Sequence, residues 1–346
     1  MERNNKRVWI DIANTAEIPF FKPIISELSS EGYHINLTCW KRGEVPELLN
    51  EMGFQARAIL SDSSNPLKKA LSVGARTVLL NGLASKFDAV ITMENVMPLP
   101  TAYLRGKPSI IILDNDVKLN STQSIFQKME NKVKKFAKYV IVPEVAYDEF
   151  AKFFGKDILT FPGIKEHISI SGYEPDPNFL DKIPFNEYVV VRPESLSSHY
   201  VLEKRSIVPE LLKLFNKEGI NVIYLPRNKL ERELARGYDV YIPPKPLNGL
   251  DLAYYSKAVL TGSGTMAREA AVMGIPAVSF FPGKQLLAID KYLVESDELL
   301  HSRDPEQIFE YVLSSWYKRK HTHTHTKIKK IFESFLKTIK SLPVYY

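Results

Sequence analysis

From Ser263 to Glu269 the chain reads SGTMARE, small residues first and a carboxylate about one helical turn further on. An apolar run, Lys257 to Thr261, precedes it, and helical spacing from Met266 to Met273 follows, closed by Gly274. A strand, a bare turn at Gly262–Thr265 and a helix are therefore expected. First-turn amides of such a helix point outward at the positive end of its dipole, and small residues let a ligand reach them, so phosphate is the natural guest. Ser263 and Thr265 can add hydroxyl donors or cap the helix, and Glu269 is placed to accept hydrogen bonds from a ribose diol. The plain alternative is a tight connection with a capping hydroxyl and a solvated acid. Two cations after neighbouring strands suit the same ligand. Arg227 in YLPRN could neutralise a leaving diphosphate, and Lys284 in FPGK could lie near sugar or phosphate. Either could equally be a surface cation.

The elements around these residues alternate almost throughout. RVWIDI, YHINLTC, DAVITM, SIIIL and YVIVP, then YVVV, NVIYLP, DVYIP, AVLTG and PAVSFF, are short apolar runs separated by helix-length stretches. That is the pattern of stacked βαβ units and parallel sheets covered on both faces. Between the two series, residues 161–187 are rich in Pro, Gly and Asp and read as a connection. A length of 346 residues suits two domains of roughly 150 each.

Composition narrows the class. One cysteine, Cys39, excludes an internal disulfide and any multi-cysteine metal site. A first strand is expected within about eight residues of the start, too soon for a signal peptide. No window approaches the roughly 18 apolar residues of a spanning helix. A cytoplasmic protein, at most peripheral at a membrane, is expected. Net charge of +6 points to an anionic partner. Nucleic acid is not expected, because no zinc module, RNA-binding aromatic motif or helix-turn-helix is present.

Two lysine-rich stretches carry apolar stripes at helical spacing: Ile125, Phe126, Met129, Val133 and Phe136, and, near the end, Ile328, Ile331, Phe332, Phe335, Leu336 and Ile339. The first expectation for both is a buried stripe with a solvated lysine face. A helix resting on anionic lipid is the alternative. HTHTHT, residues 321–326, is expected as a linker.

S-G-T-x-x-R-E-A-x-x-x-G-I-P, Ser263 to Pro276, resembles the nucleotide-sugar site in the second domain of GT-B glycosyltransferases and of the non-hydrolysing UDP-N-acetylglucosamine 2-epimerases. With WIDIAN, FPGIKE, EPDP, VVVRPE, YLPRN, Pro246-x-x-Gly249-Leu250, FPGK and HSRDPE, the whole chain resembles a microbial family of predicted glycosyltransferases of similar length. The resemblance implies an α/β GT-B fold of two doubly wound Rossmann-like domains facing a central cleft. Residues 1–165 would form the acceptor side, and 166–346 the nucleotide-sugar side, with terminal helices that can cross back. The implied reaction moves a sugar from a nucleotide-diphosphate donor, UDP-linked, to an acceptor hydroxyl, with a lipid-linked acceptor as one candidate class. Neither cofactor nor metal is implied, since amides and Arg227 can do the neutralising.

Position by position, Gly262, Ser263, Gly264 and Thr265 match the diphosphate turn and Glu269 the ribose acid. Arg192 and Glu194 match an epimerase strand end, although the histidine before the arginine and the asparagine after the acid are absent and His199 is displaced. Epimerisation needs carboxylates in the first domain, for which Glu94 in MENV and Asp114 with Asp116 in LDNDVK follow strands. A sheet-edge ion pair and an Asx turn are their plain alternatives. Glycosyltransferases of this fold often place a base in the first loop. Here that loop, DIANTAEIPFF, holds no histidine, so Asp11 or Glu17 is the implied base, and a glutamate would need burial to serve. Asn14 or Thr15 is expected to cap the helix that follows. A nucleotide-sugar epimerase and a non-catalytic binder of nucleotide sugar or nucleic acid are the alternative functions.

Overall fold

The structure is a computed structural model describing residues 6–61, 66–119, 125–194, 205–283, 285–317 and 321–342. The chain divides into two compact units, the first running to Gly172 and resuming at Lys330, the second spanning Tyr173–Lys329.

The first unit holds seven parallel strands: β1 (Arg7–Ile12), β2 (His34–Lys41), β3 (Arg57–Ser61), β4 (Ala89–Met93), β5 (Ser109–Ile112), β6 (Tyr139–Pro143) and β7 (Leu159–Phe161), in the order β3-β2-β1-β4-β5-β6-β7. Ile10 pairs with Leu37 on one side and Ile91 on the other, which aligns the apolar centres of three strands. Val8, Ile10 and Ile12 pack on Phe20, Phe21 and Ile24 of the Glu17–Ser30 helix, while Trp9 and Val90 meet Leu80 and Phe87 on the opposite face. Both faces are thus dry, as an all-parallel sheet requires. Phe335, Ile339 and Leu342 of the final stretch join the first of these cores.

The second unit holds five parallel strands: β8 (Val189–Arg192), β9 (Val222–Tyr224), β10 (Ala258–Thr261), β11 (Ala277–Ser279) and β12 (Leu300–His301), ordered β12-β11-β10-β8-β9. Val189, Val191, Leu260 and Val278 pack against Val208, Leu211 and Phe215 of the Val208–Lys217 helix.

Several expectations need correction. Among the described residues, β3, β7 and β12 are strands that the apolar runs did not announce. Each is short and lies at a sheet edge, where one side lacks a neighbour and a long apolar run is not needed. DVYIP supplies only an isolated bridge, Ile223 with Tyr241. Residues 321–326 begin the His321–Lys340 helix instead of forming a linker. The Ile125–Lys134 helix turns its apolar residues outward: Ile125 is 76% exposed, Phe126 56% and Met129 59%.

Candidate functional site

In the second unit, strand order reverses between β8 and β10, and ligands of open parallel sheets gather at the carboxyl ends of strands flanking such a switch point. Arg192 ends β8, register-paired with Thr261 at the end of β10. The helix after β10 is Gly264–Val272, two residues earlier than the spacing suggested. Its N-cap, Ser263, is extended, and no side chain caps the helix. The Gly262 amide is already spent on the Arg192 carbonyl (3.1 Å), and the Ser263 amide on Thr261 Oγ1 (2.8 Å). The first-turn amides of Gly264, Thr265 and Met266 have no carbonyl partner within their own helix, so they are the donors left for a ligand to use.

The two glycines have packing reasons. A Cβ at Gly262 would stand 2.5 Å from Glu194 Cα, and one at Gly264 would stand 2.7 Å from Arg268 Nη1. Arg268 cannot readily give way, because its guanidinium is buried and paired with Asp290 at 2.9 Å. Glycine at these places admits the neighbouring protein first, and the approach of a ligand second.

Arg192 is the unusual group. Its Nε is buried and meets no hydrogen-bond partner among the described residues. Burial, then repulsion from Arg227, holds its pKa below the ordinary arginine value, opposed in part by Glu231 and Glu269. Arg227 differs: its Nε meets Glu231 at 3.0 and 3.1 Å, and its Nη2 donates to the Pro193 carbonyl at 2.7 Å. Its charge is largely answered inside the protein. Glu231 was not singled out from sequence, although its i,i+4 spacing from Arg227 was the available signal. Glu194 is fully enclosed, accepting from Ser206 Oγ (2.6 Å), the Ile207 amide (3.2 Å) and Arg303 Nη1 (3.1 Å). It positions the turn beneath Gly262 and presents no oxygen outward. Arg303, the missed partner, lies 109 positions along the chain, and no local pattern could have found it. Glu269 sits half-buried one turn into the helix, where its charge is felt by Arg192. Lys284 and His199 lie outside the described residues.

In the first unit the switch point falls between β1 and β4. Asp11, at the end of β1, is fully buried. It forms a two-pronged ion pair with the equally buried Arg76 (2.6 and 2.8 Å) and accepts from Asn95 Nδ2 at 2.7 Å. With every lone pair occupied, it cannot take a proton from a substrate without dismantling this network. Glu17 is the opposite case. It is the first residue of its helix, and its carboxyl folds back to accept from the Ala13 amide (2.8 Å) and Asn14 Nδ2 (2.7 Å). Asn14 and Thr15 do not cap this helix. Its N-cap is Ala16, without a side-chain bond, because Asn14 serves Glu17 and Arg42 instead. Burial pushes Glu17 up to about 8, with the Asp11 charge adding to the rise and the two hydrogen bonds opposing it.

Glu94, just past β4, holds φ +54°, a left-handed backbone uncommon outside glycine. One oxygen accepts from the Asp114 and Asn115 amides (3.0 and 3.1 Å); the other meets Lys118 Nζ (3.0 Å) and Lys134 Nζ (3.5 Å). Burial alone would raise its pKa, but Lys118 and Lys134 together hold it well below the usual carboxylate range. Asp114 is buried and paired with Lys165 at 2.7 Å; Asp116 is buried beside it, at the start of a single 3₁₀ turn. Among the described residues no group of three or more His, Cys, Asp or Glu side chains is placed to hold a metal ion, and no helix is long and apolar enough to cross a membrane.

Against known proteins, residues 6–340 match the family described as protein of unknown function (DUF354), and the chain belongs to that family. It is 28% identical over 328 residues to an uncharacterized protein of Methanocaldococcus jannaschii, covering 91% of this chain and 93% of that one. The UDP-N-acetylglucosamine 2-epimerase of Rickettsia bellii superposes with a TM-score of 0.71 at 14% identity, over 98% of this chain and 97% of the epimerase. The glycotransferase of kitacinnamycin does so with a TM-score of 0.61 at 12% identity, over 95% of each chain. At these identities the likeness is one of fold: α/β, with two parallel-sheet units of Rossmann type, the GT-B class.

Proposed function

We propose that the chain is a nucleotide-sugar enzyme that transfers the glycosyl group of a UDP-linked donor to an acceptor hydroxyl. The carrying observation is Arg192: a half-buried guanidinium at a switch point, its Nε without a partner among the described residues and a second arginine alongside, next to a helix whose first-turn amides no side chain caps among the described residues. A cation in that state calls for an anion, and a diphosphate supplies two phosphates for the arginine and the amides to share. Glu269, one turn on, is the acceptor for the ribose hydroxyls. In transfer, the bond from the anomeric carbon to the diphosphate oxygen breaks and its electron pair stays with the diphosphate, where Arg192 and the amides of Gly264, Thr265 and Met266 offset the growing charge. A bond forms from that carbon to the acceptor oxygen, whose proton passes to a base, and the chain's candidate for that role is Glu17. A carboxyl titrating near 8 is a far better proton acceptor than an ordinary glutamate.

Epimerisation at C2 is the second reading, favoured by the fold likeness to 2-epimerases. Its candidate carboxylates, Glu94 and Asp114, are tied to lysines, which leaves Glu17 as the better proton-handling group and transfer as the first reading.

Calorimetric titration of UDP into the protein and into Arg192→Gln tests the site. The parent should bind, and the variant should lose roughly ten- to a hundredfold in affinity with its melting temperature kept; equal affinities would overturn the assignment. Incubation with UDP-N-acetylglucosamine and no acceptor separates the reactions, since formation of the manno epimer selects the second reading. Binding without turnover in any assay would leave a non-catalytic binder.

A further inference from the structure

The Ile125–Lys134 helix is mounted with its apolar side out. The residues it buries are Asn131, which donates to the Lys118 carbonyl at 2.7 Å, and Lys134, 0% exposed, which reaches Glu94 at 3.5 Å and Glu130 at 3.6 Å. Glu94 is itself fixed by two amides and Lys118, so the polar anchor decides the rotation of the helix. Ile125, Phe126 and Met129 are left on the surface, and the row continues through Phe136. The Phe136 ring lies 5.1 Å from that of Tyr103, which extends the patch to Leu104 at the end of the Leu99–Leu104 helix. Exposing this many large apolar side chains together marks a contact surface.

We propose that this face docks the protein on an anionic lipid surface. The charge around the apolar row selects the partner. Among the described residues from 103 to 138, the exposed ionisable side chains are Tyr103, Arg105, Lys107, Lys128, Lys132, Lys135 and Lys138, all cationic apart from the tyrosine, with Lys107 paired to the half-exposed Asp88 at 3.5 Å. The carboxylates of the same span, Asp114 and Asp116, are buried, and Glu130 faces Lys134. A second copy seated on this face would bring two such cationic rims together. An anionic bilayer instead receives the apolar side chains at its acyl boundary and the lysines at its headgroups. The surface stands independently of the reaction proposed above.

Flotation of the full chain with vesicles tests this, comparing phosphatidylcholine containing phosphatidylglycerol with phosphatidylcholine alone. The protein should float with the anionic vesicles, release at high salt, and remain behind with the neutral ones. Phe126→Ser with Met129→Ser should lower the partition at least about tenfold, and Lys128→Glu with Lys132→Glu by about tenfold or more. All four positions are exposed, so an unchanged thermal midpoint is expected and confirms that each variant is folded. Absence from the anionic vesicles, or variants that float like the parent, would overturn the proposal. So would a concentration-dependent dimer in light scattering that the serine pair dissociates, which would give the face to a second copy.

Discussion

The two switch points of this chain each carry a buried or half-buried charged residue at the end of a central strand, Asp11 in one and Arg192 in the other, and leave the two in opposite states. At the first, Asp11 is saturated by Arg76, Thr38 and Asn95, all buried, with 65 positions between the ion-paired partners. At the second, Arg192 keeps a buried Nε without a partner, beside a helix start that no side chain caps. A buried polar group costs free energy unless it is satisfied, so the first arrangement is complete within the described residues and the second leaves an Nε that they do not satisfy. The contrast separates charged residues that hold the sheet together from those that we propose meet a ligand. Glu17 falls between, hydrogen-bonded yet driven toward neutrality by burial.

The largest effect should come from the saturated side. Asp11→Asn keeps the shape but strands the Arg76 charge in the core, and breaking a buried pair in this way costs about 3–5 kcal/mol. Chemical denaturation should show that loss. A variant of unaltered stability and no turnover would return Asp11 to a catalytic role.

Glu17→Gln should lower kcat/KM by roughly a hundredfold or more, the usual contribution of a positioned base. In the parent, kcat/KM should climb as pH rises through about 8, where Glu17 ionises. Stability should move the other way. The folded state holds a proton that the unfolded state releases near 4.5, so stability present at low pH is lost as pH rises from there through about 8. The glutamine variant should be flat across this window in thermal melts. A flattened stability profile with undiminished turnover would place Glu17 with Asp11 as a structural group.

How much of this was legible in the sequence depends on the range over which each interaction acts. The turn after β10 could be placed because glycine, serine and helical spacing are local, and Gly274, at φ +71°, ends its helix as such a residue should. Whether Arg192 or Glu194 faces outward could not be read, since the answer lies in Ser206 and Arg303, far along the chain. The Ile125–Lys134 helix misleads for the same reason: its periodicity gives the apolar face correctly, but the Lys134–Glu94 contact, forty positions apart, decides which face is buried. Edge strands were missed because partial exposure removes the apolar run that announces central ones.

Gly262→Ala probes the second switch point through packing. The new Cβ would lie 2.5 Å from the Glu194 backbone, with the Glu194 side chain bound on three sides, so the turn must move. A cost of about 1–3 kcal/mol in denaturation is expected, as for other overpacked sites, accompanied by weaker UDP binding. Stability unchanged with affinity lost would mean the glycine is there for the ligand alone.

The smallest effect belongs to Glu269. Its carboxylate is half-exposed, and the residue sits on a helix held by Arg268–Asp290 and the core contacts of Ala267 and Ala270. Glu269→Ala should therefore leave the melting temperature in place and reduce UDP affinity by about tenfold, the worth of a charge-assisted pair of hydrogen bonds to a diol. The choice of ligand makes the test specific. Ribose contact predicts that the variant loses affinity for UDP but not for inorganic pyrophosphate, whose sites are Arg192 and the helix amides. Loss for both would mean that Glu269 acts by orienting Arg192, whose charge it already influences, and the second switch point would then hold a diphosphate without a built ribose contact.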